Sequence, residues 1–289
     1  MAARSAIAFP SAMLMTHPRK EPILPRWIRA RAGVRLRIGP GPRGGAPLEI
    51  AERGGYRVRF ARGATCEGIY VNTGGGMAGG DAIDLAASLD ARAQATLTTQ
   101  AAEKVYRADD APTQVGVAID LGADARLDWL PQEQILYDGA RLSRRIDVAM
   151  AGTARLLMVE SVVFGRLAMG ETATSGALRD RWRIRRDGRL VFADEVRLDG
   201  AIADILDRPA CGGGARALAT VLLVAPDAEA RLDEARALLG GAACECGAGG
   251  LDGMLIARFV GRDPQSLRAD LARFLEGLRG HALPRSWQT

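Results

Sequence analysis

Histidine is almost absent from this chain, which has two histidines in 289 residues, His17 and His281. A Ser-His-Asp triad or a Cys-His pair needs an imidazole beside its nucleophile, so the common hydrolase arrangements have almost nothing to use. A zinc or nickel site built from several imidazoles is excluded for the same reason. Aromatic residues make up only 5% of the chain, so alanine, valine and leucine must do most of the packing.

Cysteines and long apolar runs are also scarce. The four cysteines, Cys66, Cys211, Cys244 and Cys246, are too few and too irregularly spaced for the disulfide framework of a secreted domain. No run approaches the roughly 20 apolar residues that a membrane helix requires. Pro10 interrupts the mildly apolar N-terminus, which lacks a convincing cleavage site for a signal peptide. The sequence predicts a protein of the reducing cytoplasm.

A glycine-rich segment spans Asn72–Asp81. It lacks the Lys-Ser/Thr pair that contacts phosphates in a Walker loop, and no helical pattern follows it, so a nucleotide site is not indicated. Glycine readily adopts positive φ, which predicts a turn here. The alternative is a backbone that must approach a partner closely.

The net charge of +5 comes from the N-terminal part of the chain, where residues 1–70 carry 13 Lys/Arg against 4 Asp/Glu. A basic region of this kind can bind nucleic acid, and such binding would be steeply salt-dependent. The arginines, however, alternate with apolar residues in Val34–Ile38 and Tyr56–Phe60. Alternation of this kind is typical of the solvated face of a sheet. We therefore expect no nucleic-acid partner.

A pattern recurs within the stretch from Asn72 to Glu171. Ala95-Thr-Leu97, Ala125-Arg-Leu127 and Ala154-Arg-Leu156 place their leucines 30 and 29 residues apart. Each copy has an alternating apolar run, a short turn and a second apolar run, which predicts two strands joined as antiparallel neighbours. Stacked units of this kind share one continuous core. The sequence predicts a mainly β, stacked-strand β-solenoid-like scaffold, with a sandwich as the alternative.

The character of the sequence changes at both ends of this scaffold. Residues 1–26 contain several prolines and no periodicity, and are predicted to be a mobile tail. Residues 27–207 form the predicted β-rich repeat scaffold, and Asp187-Gly188 within it marks a hairpin turn. Residues 208–289 form a predicted smaller α/β portion with a C-terminal tail.

Two helices are predicted in the C-terminal portion. The apolar run Leu218–Val224 is typical of a strand covered on both faces. The first helical pattern follows it at Asp227–Leu239, and the second begins at Asp263-Pro264, where proline is well placed just inside a helix. A further strand lies between the two helices, at Met254–Val260.

Carboxylates are the remaining candidates for chemistry. Four carboxylates have small or apolar neighbours and stand at the ends of predicted strands. They are Asp81, Glu103, Glu160 and Glu171. Oxygen ligands suit hard ions and hold a transition metal loosely. The alternative is that these acids are ordinary strand-end residues paired with arginines. A rival hypothesis is a β-solenoid enzyme acting on carbohydrate with Glu160 and Glu171 as acid and base, although this region has few aromatic residues for sugar stacking.

Five ordered motifs carry a resemblance to a known family. They are Asn72-Thr-Gly-Gly-Gly-Met-Ala-Gly-Gly-Asp81, Thr98-Thr-Gln-Ala-Ala-Glu-Lys-Val-Tyr-Arg107, Leu130-Pro-Gln-Glu-Gln-Ile-Leu-Tyr-Asp-Gly-Ala-Arg141, Glu160 through Gly165-Arg166 to Gly170-Glu171, and Leu283-Pro-Arg-Ser-Trp287. From about Trp27 to the end, the sequence resembles the UreD (UreH) family of urease accessory proteins. Met77-Ala78 and Tyr137 depart slightly from the family pattern, and residues 1–26 have no counterpart in it.

The resemblance implies a scaffold that is not an enzyme. Because no apolar run is long enough for a membrane helix, we expect no membrane partner. It implies binding to apo-urease and to the accessory protein UreF, through which the GTPase UreG is recruited. It also implies that nickel(II) passes transiently through an internal channel, without a tightly bound cofactor. We assign Glu160, Glu171, Asp81 and Glu103 to a weak nickel route. Arg285 and Trp287 are candidates for partner docking, and the alternative for Trp287 is a place in the core.

Overall fold

The computed structural model describes residues 29–288, which consist mainly of strands with helices near the C-terminal end. The strands are β1 (Arg31–Gly39), β2 (Ala46–Arg53), β3 (Tyr56–Phe60), β4 (Glu67–Asn72), β5 (Ala82–Leu89), β6 (Gln94–Thr99), β7 (Glu103–Val105), β8 (Thr113–Leu121), β9 (Arg126–Leu130), β10 (Gln134–Leu136), β11 (Arg141–Met150), β12 (Arg155–Phe164), β13 (Gly176–Arg186), β14 (Arg189–Gly200), β15 (Ala217–Val224), β16 (Glu245–Leu251) and β17 (Met254–Gly261). The α-helices are α1 (Ile202–Asp207), α2 (Leu232–Leu238) and α3 (Pro264–Arg279). The predicted tail, residues 1–26, lies outside the described residues. Within residues 29–288, no helix has the length and apolar character needed to cross a bilayer.

Two sheets enclose the core. The seven-stranded sheet has the order β14-β13-β11-β8-β5-β1-β2, and the ten-stranded sheet has the main order β16-β17-β15-β12-β9-β6-β4-β3 with β7 and β10 to one side. The chain passes from one sheet to the other and back, so equivalent strands of successive coils pair in parallel. About four such turns make a β-solenoid. The predicted mainly β, stacked-strand scaffold is confirmed.

The predicted joining of strands within each repeat is wrong. β8 and β9 were expected to be antiparallel neighbours, but they lie in opposite sheets. The turn between them, which includes Asp124 at a positive φ of 59°, carries the chain across the core. Alternating apolar residues require only one buried face, so they fit a coil that changes sheet as well as a hairpin. Asp187-Gly188 does join an antiparallel hairpin, β13 to β14, with φ of 49° and 77°.

The first copy of the sequence repeat is out of register by two residues. Leu127 lies beside Leu156, as the spacing of 29 predicts, but the residue beside Leu127 on β6 is Ala95 and not Leu97. A shift of two residues keeps every side chain on the same face of a strand, so the apolar pattern did not reveal it. The equivalent buried alanines are therefore Ala93, Ala125 and Ala154.

A short third side connects the two sheets. β10 lies between β7 and the end of β12, in parallel pairing with both, and Met77 forms a bridge with Val105. On this third side, each successive coil contributes one buried apolar residue. These residues are Met77, Val105, Leu136 and Phe164. The glycine-rich segment and the three motifs that follow it stack along this side, because each supplies the same part of a successive coil.

The ten-stranded sheet continues into the C-terminal residues. β15 pairs antiparallel with β12, β17 with β15, and β16 with β17. Helix α3 begins as predicted, with Asp263 accepting a hydrogen bond from the Ser266 amide, and ends at Gly280, whose φ is 71°. The first predicted helix is shorter than expected, because residues 229–231 form a 3-10 turn before α2. The sheet crosses the predicted boundary between residues 207 and 208, and the division into two portions stays a prediction.

The buried apolar residues form two clusters. The larger cluster lies between the two sheets. The second cluster lies between the outer face of the ten-stranded sheet and the C-terminal helices, and includes Leu275, Phe274 and Trp287. Phe274 contacts Phe259 edge to face, with ring centroids 5.4 Å apart.

Candidate functional site

A charged cluster lies inside the solenoid, between the two sheets. Arg144 on β11 is only 2% exposed and contacts two carboxylates. Its Nε and Nη2 atoms donate to Asp180 on β13 at 2.9 and 2.6 Å, and its Nη1 donates to Glu160 on β12. We call these three residues the interior cluster. One arginine between two carboxylates leaves a net negative charge when both are ionised.

Two tryptophans complete the hydrogen bonding of the interior cluster. Trp129 Nε1 donates to Glu160 at 2.9 Å, and Trp182 Nε1 donates to Asp180 at 3.2 Å. Trp129 also contacts Tyr70, with ring centroids 5.7 Å apart. The Tyr70 hydroxyl is buried and has no hydrogen-bond partner among the described residues.

Burial sets the protonation of Glu160. Removal from water raises its pKa from the usual 4.5 to about 7, even though Arg144 acts in the opposite direction. The carboxyl of Glu160 therefore loses its proton at a higher pH than a surface glutamate does. This behaviour separates Glu160 from an ordinary surface glutamate.

A small cavity of about 30 Å³ adjoins the interior cluster, lined among others by Arg144, Glu160 and Asp180. This volume exceeds the roughly 10–15 Å³ that one water molecule needs. The cavity also contacts Asp194 on β14 and Thr220 on β15, at the edge where the two sheets separate. Arg258 on β17 bridges that edge, donating to Asp194 at 2.8 Å.

Glu103 lies on the third side of the solenoid, where β7 begins, and is half-buried. It accepts a hydrogen bond from the Asn72 side chain at 2.9 Å, and burial raises the pKa of its carboxyl. Gln134 lies beside it in the strand register, and the Gln134 Oε1 atom is buried without a partner among residues 29–288. Gln134 in turn lies opposite Val162, two residues from Glu160 on the same inward face.

Asp81 and Glu171 have structural contacts at turns. Asp81 accepts hydrogen bonds at 2.7 Å from the amides of Ala30 and Ala78, which fixes the end of the glycine-rich segment. Glu171 pairs with Arg166 and accepts from the Asp138 amide at 3.1 Å. These contacts hold the pKa of Glu171 below its usual value, with the Arg166 hydrogen bond as the largest cause. Neither carboxylate contacts the interior cluster.

Metal-binding geometry is not preformed. In the part of the chain that the structure describes, no three His, Cys, Asp or Glu side chains are placed to hold a metal ion together. The cysteines Cys66, Cys211, Cys244 and Cys246 are all free thiols. Any ion in the interior would meet carboxylates that Arg144 already contacts, so tight binding is not favoured.

Comparison with known proteins identifies the family. The family model described as UreD urease accessory protein matches residues 30–288. The urease accessory protein UreD of Methylobacterium sp. (strain 4-46) is 48% identical over 284 residues, covering 96% of this chain and 100% of that protein. UreD of Azorhizobium caulinodans is 47% identical over 263 residues, covering 90% of this chain and 97% of that protein.

This chain belongs to the UreD family of urease accessory proteins. The resemblance inferred from the five motifs is thus confirmed. Four of those UreD-family motifs form the third side of the solenoid. There Tyr106 donates a hydrogen bond to the Gly75 carbonyl at 3.0 Å and contacts Tyr137, over which Arg166 lies at 4.3 Å.

The fifth motif of the UreD-family chain packs onto the second apolar cluster. Trp287 is 6% exposed and donates from Nε1 to the Leu130 carbonyl at 3.0 Å. Arg268 lies over its ring at 5.1 Å. These contacts favour the core-capping alternative for Trp287, whereas Arg285 is exposed. Partner docking by Arg285 stays a prediction.

Sequence reasoning missed Arg144, Asp180 and Gln134. A signal was present, because Arg144 stands at an apolar position of the alternating run Leu142, Ile146, Val148 and Met150. Asp180 stands likewise between inward Leu178 and Trp182. A charged residue at an inward position of a strand is costly unless it is paired, so two opposite charges on neighbouring strands indicate a buried pair.

Proposed function

We propose that this chain is a cytoplasmic, non-enzymatic scaffold and conduit that helps deliver nickel(II) to apo-urease, in a complex with UreF and, through UreF, the GTPase UreG. The observation that carries the proposal is the match of residues 30–288 to the UreD urease accessory protein family. The cargo would be held transiently, and no resident cofactor is required.

A series of polar side chains inside the solenoid supports an internal route for nickel(II). Gln134 on β10 lies beside Glu103 on β7 and beside Val162 on β12, and Glu160 lies two residues from Val162 on the same inward face. Glu160 contacts Arg144, which contacts Asp180 beside the cavity. An apolar solenoid core needs none of these groups, and buried charges generally cost stability. Asp81 and Glu171 would lie at the mouths of the route.

The interior cluster suits transient passage of a cation. A divalent ion would have to compete with Arg144 for Glu160 and Asp180, which makes binding weak. The carboxyl of Glu160, with its pKa raised to about 7, would lose its proton as the cation arrives. A metal held strongly at an intermediate site could not move on to its destination.

The rival hypothesis of a carbohydrate-active enzyme finds no support in the geometry. A glycosidase needs its two carboxyl groups on either side of one substrate bond. Glu160 is buried between the sheets and contacts Arg144, whereas Glu171 pairs with Arg166 in a turn. The cavity beside Glu160 is far too small for a sugar and does not include Glu171.

The test is activation of urease in cells in which this chain is the only UreD-family protein. We expect Glu160→Gln and Glu103→Gln to lower urease activity and nickel content per urease by at least tenfold, with circular dichroism and thermal midpoint retained. Glu171→Ala should show a smaller loss. Asp233→Asn, at a fully exposed carboxylate on α2, is the control and should activate normally. Normal activation by both interior variants would exclude the conduit, and full nickel loading without the chain would exclude the whole function.

A further inference from the structure

The outer face of the seven-stranded sheet is open to solvent and has an unusual centre. Its outward positions on β5 and β8 include Ala86, Gly116 and Ala118, which form the floor of a depression of about 450 Å³. We call these three residues and the space above them the central trough. Charged side chains at its rim include Asp84, Arg145, Asp147 and Arg181.

A row of arginines follows β13 beside the trough. Four successive outward positions of this strand, which we call the arginine ladder, are Arg179, Arg181, Arg183 and Arg185. Alternate residues of a strand are roughly 6.6 Å apart, so the guanidinium groups form a regular line of positive charge. Arg179 pairs with Glu195 at 2.8 Å. Among the described residues, the other three have no carboxylate within ion-pair distance, although Asp147 lies beside Arg183 and Glu195 lies beside Arg181 in the strand register.

The small residues of the trough are not required by the packing of the chain. A Cβ atom at Gly116 would meet only the end of the flexible Asp84 side chain, at 3.0 Å, and Ala118 is exposed. Exposed strand positions usually favour β-branched or longer side chains, and glycine within a strand often marks close approach of another backbone. The trough therefore fits a partner that comes within contact distance of the sheet.

The chemistry of the trough favours a protein over a nucleic acid. Among residues 29–288, no aromatic side chain lines it, so the described surface offers unpaired bases nothing to stack on. The N-terminal residues 1–28 are themselves basic, with Arg19, Lys20 and Arg26 among them, so they do not complement the ladder.

We propose that the central trough and the arginine ladder dock a carboxylate-rich segment of a partner protein. Small residues allow the partner backbone to approach the sheet, and the three unpaired arginines contact its carboxylates. This surface faces away from the interior cluster, and its role does not depend on the passage of nickel.

The test measures binding of a fluorescein-labelled oligoglutamate peptide to the full chain at physiological ionic strength. We expect Arg181→Glu, Arg183→Glu and Arg185→Glu together to weaken binding by at least tenfold. The control changes Arg62, Arg208 and Arg236 to Glu, which alters the net charge equally at exposed sites elsewhere. An equal loss in the control would overturn the proposal, because the attraction would then be diffuse.

Close approach is tested separately with a bulky side chain on the floor. Ala118→Trp should weaken oligoglutamate binding by at least tenfold, whereas Ala51→Trp, on β2 in the same row across the sheet, should not. Both positions are exposed and tryptophan suits strands, so circular dichroism and thermal midpoint should stay unchanged. Absence of binding to the wild type, no effect of Ala118→Trp, or tighter binding of an oligothymidylate of equal charge would each overturn the proposal.

Discussion

The solenoid and the C-terminal extension of its larger sheet bury their strands differently. In the solenoid, strands of successive coils pair in parallel within each sheet, and the two sheets enclose a core that contains Arg144, Glu160 and Asp180. In the extension, antiparallel strands pack against α3 through a cluster of apolar residues, including Leu275 and Phe274. The buried Asp270 of α3 stays at the border of that cluster, where it accepts hydrogen bonds from the amides of residues 243 and 244.

The difference shows which part of the chain is built for stability alone. Apolar packing of helices on a sheet stabilises both without further conditions. A buried ionic cluster usually contributes less to stability than well-packed apolar residues of the same volume. The buried charges of the solenoid interior therefore carry a stability cost that the apolar cluster of the extension avoids.

The largest expected effect comes from breaking the interior cluster. Arg144→Met leaves two buried carboxylates without a counter-charge, and should lower the free energy of unfolding by about 3–5 kcal/mol in urea denaturation. Adding Glu160→Gln and Asp180→Asn removes the remaining charges and should recover part of this loss. If the triple variant were as unstable as the single one, the loss would come from the shape of Arg144 and not from its charge.

For the extension, the matching experiment creates a cavity in its apolar cluster and measures the loss of stability. Leu275→Ala removes a fully buried side chain from α3 and should lower the free energy of unfolding by about 2–5 kcal/mol. Because one sheet runs through both regions, we expect fluorescence and circular dichroism to report a single transition. Two separate transitions in this variant would show that the extension unfolds independently of the solenoid.

A third expected effect is a dependence of stability on pH between 4.5 and 7 that comes from Glu160 in the solenoid. The pKa of Glu160 lies at about 7 in the folded chain and near 4.5 when unfolded. The unfolded state therefore releases this proton first, and the contribution of Glu160 to stability falls as pH rises from 4.5 to 7. The free energy of unfolding of the wild type, measured relative to Glu160→Gln, should decline over this interval and stay constant above it. A constant difference would mean that the carboxyl is ionised throughout.

Much of the fold follows from local patterns. Alternating apolar residues located most strands, Asp187-Gly188 located the hairpin, and Asp263-Pro264 located the start of α3. Register did not follow, because sliding a strand by two residues leaves the same side chains buried. For that reason Ala95, and not Leu97, lies beside Leu127.

Only part of the candidate site could be predicted from the sequence. Glu160 and Glu103 were identified as carboxylates in apolar surroundings, and the structure places both inside the solenoid. Asp81 and Glu171 satisfied the same criterion but fix turns. The prediction considered only the neighbours of each carboxylate along the chain. Burial depends instead on which face of the strand the residue occupies.

By itself the sequence determined the kind of element at most positions, the absence of an imidazole-based site and the family. Short-range spacing and residue type are enough for these, because they act within one strand or one motif. Only the tertiary structure decided that β8 and β9 face each other across the core and that Arg144 joins Glu160 to Asp180. Those contacts link residues on different coils, and their cost or benefit arises only when folding removes them from water.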